Sequence, residues 1–245
     1  MALCLSKHPQ ASPQIYAELC ELAAQLQIMQ QPWHIHLCPQ AIDITDPSDT
    51  LAPLKLSFTD ATAAYLQKTL TAKQPLLRAI GKIHLPPATI IDCTAGFGQD
   101  SFILTSAGHH LVSIEQNPVV YLLLATNIKL YKQQHPNCTW QAVYANSCSW
   151  LQQNRKKVDA IYLDPFFEKN TSALPKNRIQ WLQKLSETTD NHDAALLNQA
   201  LLADCGKVIV KRDLKAPFLN NIKPNNGSIQ QKSSRFDCYH PKHNH

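Results

Sequence analysis

Apolar residues recur along this chain with two different periods. Ile15, Leu19, Leu22 and Leu26 follow Ser12-Pro13 at helical spacing, with the serine placed as N-cap and the proline as first helical residue. Trp33-His34-Ile35-His36-Leu37 alternates every second residue and predicts a half-buried strand, with a further short strand over residues 41–44. These elements make residues 1–58 a small α+β appendage. Ala63, Leu66 and Leu70, then Leu76, Leu77 and Ile80, predict helix as far as Gly81.

The pattern changes from residue 88 onward. Buried-type strands are expected over residues 88–93, 111–115, 140–144, 158–163, 207–211 and 234–239. Helical segments separate the first of them: one holds Phe102, Ile103 and Leu104, and another starts at Asn117-Pro118 and runs through residues 119–131. Strands alternating with helices predict an α/β fold with a parallel, doubly wound, Rossmann-like sheet over residues 59–245. The polar, Asn/Gln-rich stretch 215–233 reads as a mobile loop.

With 44% hydrophobic and 17% charged residues, the 245-residue chain can bury a core and is neither disordered nor fibrous. The eight cysteines are too sparse for a disulfide scaffold, and none forms a Cys-x-x-Cys pair that would suggest zinc. His34 and His36 read as the outer face of a strand, and His240, His243 and His245 as a chain tail, so no metal is expected. The start has no basic, long apolar leader, and no stretch of about 20 apolar residues occurs, so a soluble cytoplasmic chain without a membrane partner is expected. Net charge is +5, but residues 1–54 hold one base and five acids, and residues 55–245 hold 22 bases and 13 acids. A basic larger part suits a polyanion such as nucleic acid; a solvated basic face is the alternative.

Only six glycines occur, and two of them stand as Gly96-Phe97-Gly98. In Asp92-Cys93-Thr94-Ala95-Gly96-Phe97-Gly98-Gln99-Asp100, small residues at Ala95, Gly96 and Gly98 let backbone approach a ligand, and the next helix N-terminus favours negative groups. The alternative is a tight strand-to-helix turn without a ligand. A dinucleotide fingerprint wants a third glycine near Ser101, and Asp92 would sit awkwardly beside a pyrophosphate. Two acids fit a cationic or zwitterionic ligand better, which weakens a nicotinamide dehydrogenase reading. Glu115 closes the second strand of this half, where a carboxylate can accept both hydroxyls of a ribose; an exposed strand end is the plainer reading of such an acid. Asn146 and Ser147 follow the third, placed for an adenine edge or simply as turn residues.

Leu163-Asp164-Pro165-Phe166-Phe167 follows the fourth strand. Exocyclic amines of bases are poor nucleophiles because their lone pair is delocalised into the ring. The Asp164 carboxylate and Pro165 carbonyl form an acceptor pair that holds the amine hydrogens and directs the lone pair at an electrophile. Phe166 or Phe167 would stack on the base. A strand-terminating Asp-Pro turn with two core phenylalanines is the plainer reading.

Together these residues resemble the class I S-adenosylmethionine-dependent methyltransferases, with 92–100 similar to their motif I and 163–167 to their amine-methylating motif IV. More narrowly, residues 74–239 resemble the ribosomal RNA small subunit methyltransferase J family. The shared segments are the Thr94-Ala95-Gly96 turn, Glu115-Gln116-Asn117-Pro118-Val119-Val120, Tyr162-Leu163-Asp164-Pro165, Val210-Lys211-Arg212 and Arg235-Phe236-Asp237. The resemblance implies transfer of a methyl group from S-adenosylmethionine to a guanine N2 amine in small-subunit (16S) ribosomal RNA. It implies cofactor contacts at Gln99-Asp100, Glu115-Gln116, Asn146-Ser147 and Asp164. Gln99 stands where the family usually has arginine, and Glu168 where the usual Asp-Pro-Met-Phe-Pro ends in proline. Lys169, Lys176, Arg178, Lys211 and Arg212 flank the pocket in sequence and are candidate phosphate contacts. The rival readings are methylation of another RNA, a DNA adenine or a protein amide, or a non-catalytic RNA-binding module of the same fold.

Overall fold

The structure is a computed structural model that describes residues 2–71, 74–81, 87–165, 177–186 and 192–241. The first third of the chain forms β1 (Cys4–Lys7), α1 (Pro13–Gln25), β2 (His34–Leu37), β3 (Ile42–Thr45), β4 (Leu54–Leu56), α2 (Ala61–Thr69) and α3 (Pro75–Ile80). Next come β5 (Thr89–Asp92), α4 (Gln99–Ser106), β6 (His110–Glu115), α5 (Pro118–Gln134), β7 (Gln141–Tyr144), α6 (Ser147–Gln153) and β8 (Ala160–Leu163). The remainder forms α7 (Asn177–Leu185), α8 (His192–Leu202), β9 (Val208–Asp213), a 3-10 turn (Leu219–Asn221), β10 (Ser228–Gln230) and β11 (Ser234–Tyr239).

The helix starts follow local chemistry. Ser12 accepts the Ile15 N–H ahead of Pro13, and Asn117 Oδ1 accepts the N–H groups of Val119 and Val120, both at 3.0 Å, ahead of Pro118. Each cap satisfies donors that the first helical turn leaves open.

Two compact units divide the chain, each assembled from separated segments: Met1–Lys68, Asn117–Cys138 and Thr171–Thr188 in one; Thr69–Gln116, Thr139–Asn170 and Thr189–His245 in the other. In the first, β1-β2-β3-β4 form a sheet, parallel between β1 and β2 and antiparallel beyond. Helix α1 buries Ile15, Leu19 and Ala23, and the strands bury Ile35, Leu37, Ile42, Ile44, Leu54 and Leu56. Helix α7 joins this unit through its apolar face: Trp181 meets Trp33 edge to face at 5.5 Å and donates its indole N–H to the Ala52 carbonyl at 2.8 Å. Lys184 on the same helix pairs with Asp46, which its ammonium and the hydroxyls of Ser48 and Thr50 hold below the usual carboxylate range.

In the second unit the strand order is β10-β11-β9-β8-β5-β6-β7. The five strands from β9 to β7 are parallel; β11 runs antiparallel to β9 and β10 to β11, so the sheet is mixed rather than wholly parallel. Ile90, Ile91, Ala160, Ile161, Tyr162, Leu163, Val208, Ile209 and Val210 are buried, the near-continuous apolar run of strands covered on both faces. The stretch 215–233, expected as a mobile loop, instead contains the 3-10 turn and β10 paired in register with β11. Backbone ladder bonds and a Ser228–Asp237 hydrogen bond of 2.5 Å hold β10, an edge strand whose pattern carries no apolar alternation.

Candidate active site

Strands β5, β6, β7, β8 and β9 end on one edge of the second unit's sheet, where ligands of open α/β sheets bind. The turn after β5 is anchored there from several strands. Cys93 donates its N–H to the Tyr162 carbonyl at 3.0 Å, and Ala95 donates to Ile114 at 3.2 Å. Ser147 Oγ donates to the Cys93 carbonyl at 2.6 Å, and the Asp164 N–H donates to Thr94 Oγ1 at 2.6 Å. Gly96 (φ 52°) donates to Glu115 Oε2 at 3.0 Å, and Gly98 (φ 79°) lies in the left-handed region before α4. An L side chain at either position would be strained, which accounts for two scarce glycines in three residues.

Two polar assemblies flank this turn. Asp100 in the first turn of α4 accepts the Tyr162 hydroxyl at 2.6 Å on Oδ2. The Lys211 ammonium lies 2.7 Å from that oxygen and 2.8 Å from Asp164 Oδ2, joining the two carboxylates. Burial, together with the neighbouring Asp100 carboxylate, pushes Asp164 up to about 6 against the opposing pull of Lys211. Burial also works against the Lys211 charge, but the Asp164 and Asp100 carboxylates outweigh it and hold Lys211 above its ordinary value.

The second assembly is fully enclosed. Trp140 Nε1 donates to Ser113 Oγ at 2.8 Å, Ser113 and Ser101 share a hydrogen bond of 2.6 Å, and Ser101 donates to Asp92 Oδ2 at 2.5 Å. The Thr94 N–H donates to Asp92 Oδ1 at 3.1 Å. Burial pushes Asp92 up to about 7, although the Ser101 and Thr94 donors favour its ionised form.

The expected site residues divide accordingly. Asp100, Glu115, Asp164, Gly96, Gly98 and Ala95 converge on the turn, and Gln99 is exposed at the start of α4. Asn146 and Gln116 come together through a 2.9 Å side-chain hydrogen bond, but Asn146 Oδ1 also caps α6 by accepting the Ser149 N–H at 3.2 Å. Ser147 spends its hydroxyl on the turn. Asp92, expected to touch a ligand, is 1% exposed and supports the turn from behind. Pro165 is buried beside Asp164.

The candidate phosphate contacts are not one surface. Lys211 faces Asp100 and Asp164, Arg212 is buried with Nε donating to the Pro217 carbonyl at 3.2 Å, and Arg178 lies on α7 in the other unit. Phe166, Phe167, Glu168, Lys169 and Lys176 lie outside the described residues. Of the histidines, His36 bonds Ser6 Oγ at 2.8 Å and His240 the Gly206 carbonyl at 3.1 Å, while His243 and His245 lie outside the described residues. Among the described residues no three His, Cys, Asp or Glu side chains are grouped to hold a metal, and no helix is long and apolar enough to cross a membrane.

Sequence reasoning missed Thr94, Ser101, Ser113, Trp140 and Tyr162 as parts of the site. Thr94 and Ser101 were within reach, since both lie in or beside the glycine turn. Ser113 sits on β6, Tyr162 on β8 and Trp140 immediately before β7, and only the sheet brings them together.

The sequence and the fold are both shared with known proteins. The sequence profile of the family described as "Putative SAM-dependent methyltransferase" matches residues 19–241. The crystal structure of a SAM-dependent methyltransferase from Neisseria gonorrhoeae has the same fold, with a TM-score of 0.70 at 21% identity over 98% of this chain and 96% of that one. The class is thus an S-adenosylmethionine-dependent methyltransferase. Ribosomal RNA small subunit methyltransferase J of Tolumonas auensis is 33% identical over 238 residues, spanning 93% of this chain and 94% of that protein. The protein of that name from Pectobacterium atrosepticum is 35% identical over 176 residues, 69% of each chain. The chain belongs to the ribosomal RNA small subunit methyltransferase J family.

Proposed function

We propose that this chain transfers the methyl group of S-adenosylmethionine to the exocyclic N2 amine of a guanosine in small-subunit ribosomal RNA, acting in the cytoplasm on the RNA or the small ribosomal subunit. The observation that carries the reading is the Asp164-Pro165 turn, its Asp164 N–H tied to Thr94 and its carboxylate set beside Asp100 at the crevice. The relatives' names supply the substrate class.

The residues fit the cofactor by their chemistry. Two carboxylates offset by one ammonium leave excess negative charge, which suits a ligand bearing a sulfonium and an ammonium. Glu115 stands at the end of β6 for the ribose hydroxyls. Gly96 and Gly98 bring backbone close, and Gln99, Gln116, Asn146 and Ser147 complete the cofactor side. The cofactor supplies an activated methyl group on a sulfonium that leaves as a neutral thioether. The chain's own work is positioning and exclusion of water. The Asp164 carboxylate and the Pro165 carbonyl accept the two amine hydrogens and turn the nitrogen lone pair outward; Asp164, titrating near 6, is the acceptor at hand for the proton the amine sheds. Phe166 and Phe167 are the stacking candidates, and the guanine enters unpaired or flipped out. In this reading residues 59–245 form the catalytic part and residues 1–58 an appendage.

The test uses labelled S-adenosylmethionine and small subunits from cells lacking this protein, followed by digestion to nucleosides. Label in N2-methylguanosine is the expected result, abolished by Asp164→Ala with most RNA affinity retained. No label, with cofactor binding measured in the same preparation, rejects the substrate; label in another nucleoside or in protein moves the reading to that acceptor.

A further inference from the structure

Lys211 stands on β9 among Val208, Ile209 and Val210, all buried, and its own side chain is 28% exposed. A lysine on a central strand is costly unless its charge is met. Here it is met twice, by Asp100 Oδ2 at 2.7 Å and Asp164 Oδ2 at 2.8 Å. Asp100 is further fixed by the Tyr162 hydroxyl, and the Asp164 backbone by Thr94. The ammonium is therefore the one described cation joining the helix-borne acid of α4 to the acid of the Asp-Pro turn.

We propose that Lys211 is a positioning residue for methyl transfer: by bridging Asp100 and Asp164, its ammonium keeps Asp164 ionised and aimed as the hydrogen-bond acceptor for the substrate amine. The inference rests on the function proposed above. Among the described residues, the groups facing Asp164 are Lys211 from β9, Asp100 from α4, the Tyr162 hydroxyl from β8 and, further back, Asp92 at the end of β5. All but Lys211 are acids or a neutral hydroxyl. Remove the ammonium and two carboxylates face each other in a partly buried crevice, where one takes up a proton. A protonated Asp164 offers a donor where the amine needs an acceptor, and the lone pair is no longer directed. Lys211 is held in its charged form by both acids, so it is not itself the proton acceptor. The sequence-based alternative, a phosphate contact, requires the ammonium to turn away from both carboxylates.

The test compares the full chain with Lys211→Met, Lys211→Gln and Lys211→Arg. Aspartate carboxyl carbons are titrated by NMR without cofactor, Asp164 being assigned from the resonance lost in Asp164→Asn, and single-turnover methyl transfer is followed against pH. In Lys211→Met the Asp164 midpoint moves up by roughly one pH unit or more. The acid limb of the rate profile moves with it, a loss of roughly tenfold at about pH 5 that shrinks to about twofold near neutral pH and is recovered in alkali. Lys211→Arg keeps the wild-type midpoint, and RNA affinity keeps its salt dependence. If Lys211→Met does not fold, Lys211→Gln carries the same comparison. A folded Met or Gln variant with unmoved midpoint and profile overturns the proposal. So does a pH-independent loss accompanied by a shallower salt dependence of RNA binding, which assigns Lys211 to phosphate. Failure of the wild-type chain to methylate small subunits sinks the function instead, while the carboxyl titration still decides the role of Lys211.

Discussion

At the scale of single residues, the site separates acids that face the crevice from one that does not. Asp92 receives a chain of donors that starts at the Trp140 indole, which can only donate, and passes through Ser113 and Ser101. Its carboxyl, pushed up to about 7 by burial, binds a proton more readily in the folded chain than in the unfolded one. The stability this contributes is complete below the unfolded value near 4 and is lost as pH rises through about 7. Asp92→Asn removes that dependence: relative to wild type, the variant gains on the order of 2–4 kcal/mol between about pH 5 and pH 8, measured by denaturant unfolding at both values. An equal difference at the two values would refute the assignment. In sequence Asp92 read as a ligand contact because its place at a strand end is visible and its burial is not. The same limit applied to Lys211, whose position beside a pocket motif was legible but whose direction was set by two acids at positions 100 and 164.

At the scale of elements, those with strong local signals were legible. Helices α1 and α5 announce themselves by a capping side chain followed by proline, and β5, β6, β8 and β9 by short apolar runs. Strands β1, β4 and β10 and helices α6, α7 and α8 carried weaker signals. Helix α7 owes its place to Trp181 and Lys184 meeting Trp33 and Asp46, residues more than a hundred positions away. Strand β10 depends on β11, where Arg235 pairs with buried Asp237 and its Nη1 donates to the Asp213 and Leu214 carbonyls at 3.0 and 2.8 Å. That motif, seen in sequence as a family resemblance, is thus a clamp on the exit of β9. Gly206, just before β9, marks another close approach: a Cβ there would lie 2.9 Å from the Asp159 backbone oxygen. Gly206→Ala is expected to destabilise the chain by about 1–3 kcal/mol, read as a lower denaturant midpoint with unchanged slope. A neutral result would mean that the 158–159 backbone yields without cost.

At the scale of the whole molecule, charge is distributed unevenly along the chain, net −4 over residues 1–54 and +9 over residues 55–245. Phosphate contacts release counterions, so binding to small-subunit RNA is expected to weaken at least tenfold when salt rises from about 50 to 200 mM. Filter binding at several salt concentrations measures the slope, and a flat one would remove the electrostatic basis for an RNA partner. The class of fold, the sheet edge where the candidate residues gather, the glycine turn and the Asp-Pro turn after β8 were all legible from residue order. Each depends on contacts close in sequence or on a periodicity that local chemistry imposes. The assembly of each compact unit from separated chain segments, the antiparallel β10-β11 pair, the enclosed Asp92 network and the inward turn of Lys211 came only with the folded chain. They depend on which side chains strand register and helix packing bring within about 3 Å, and partners dozens of residues apart leave no local mark.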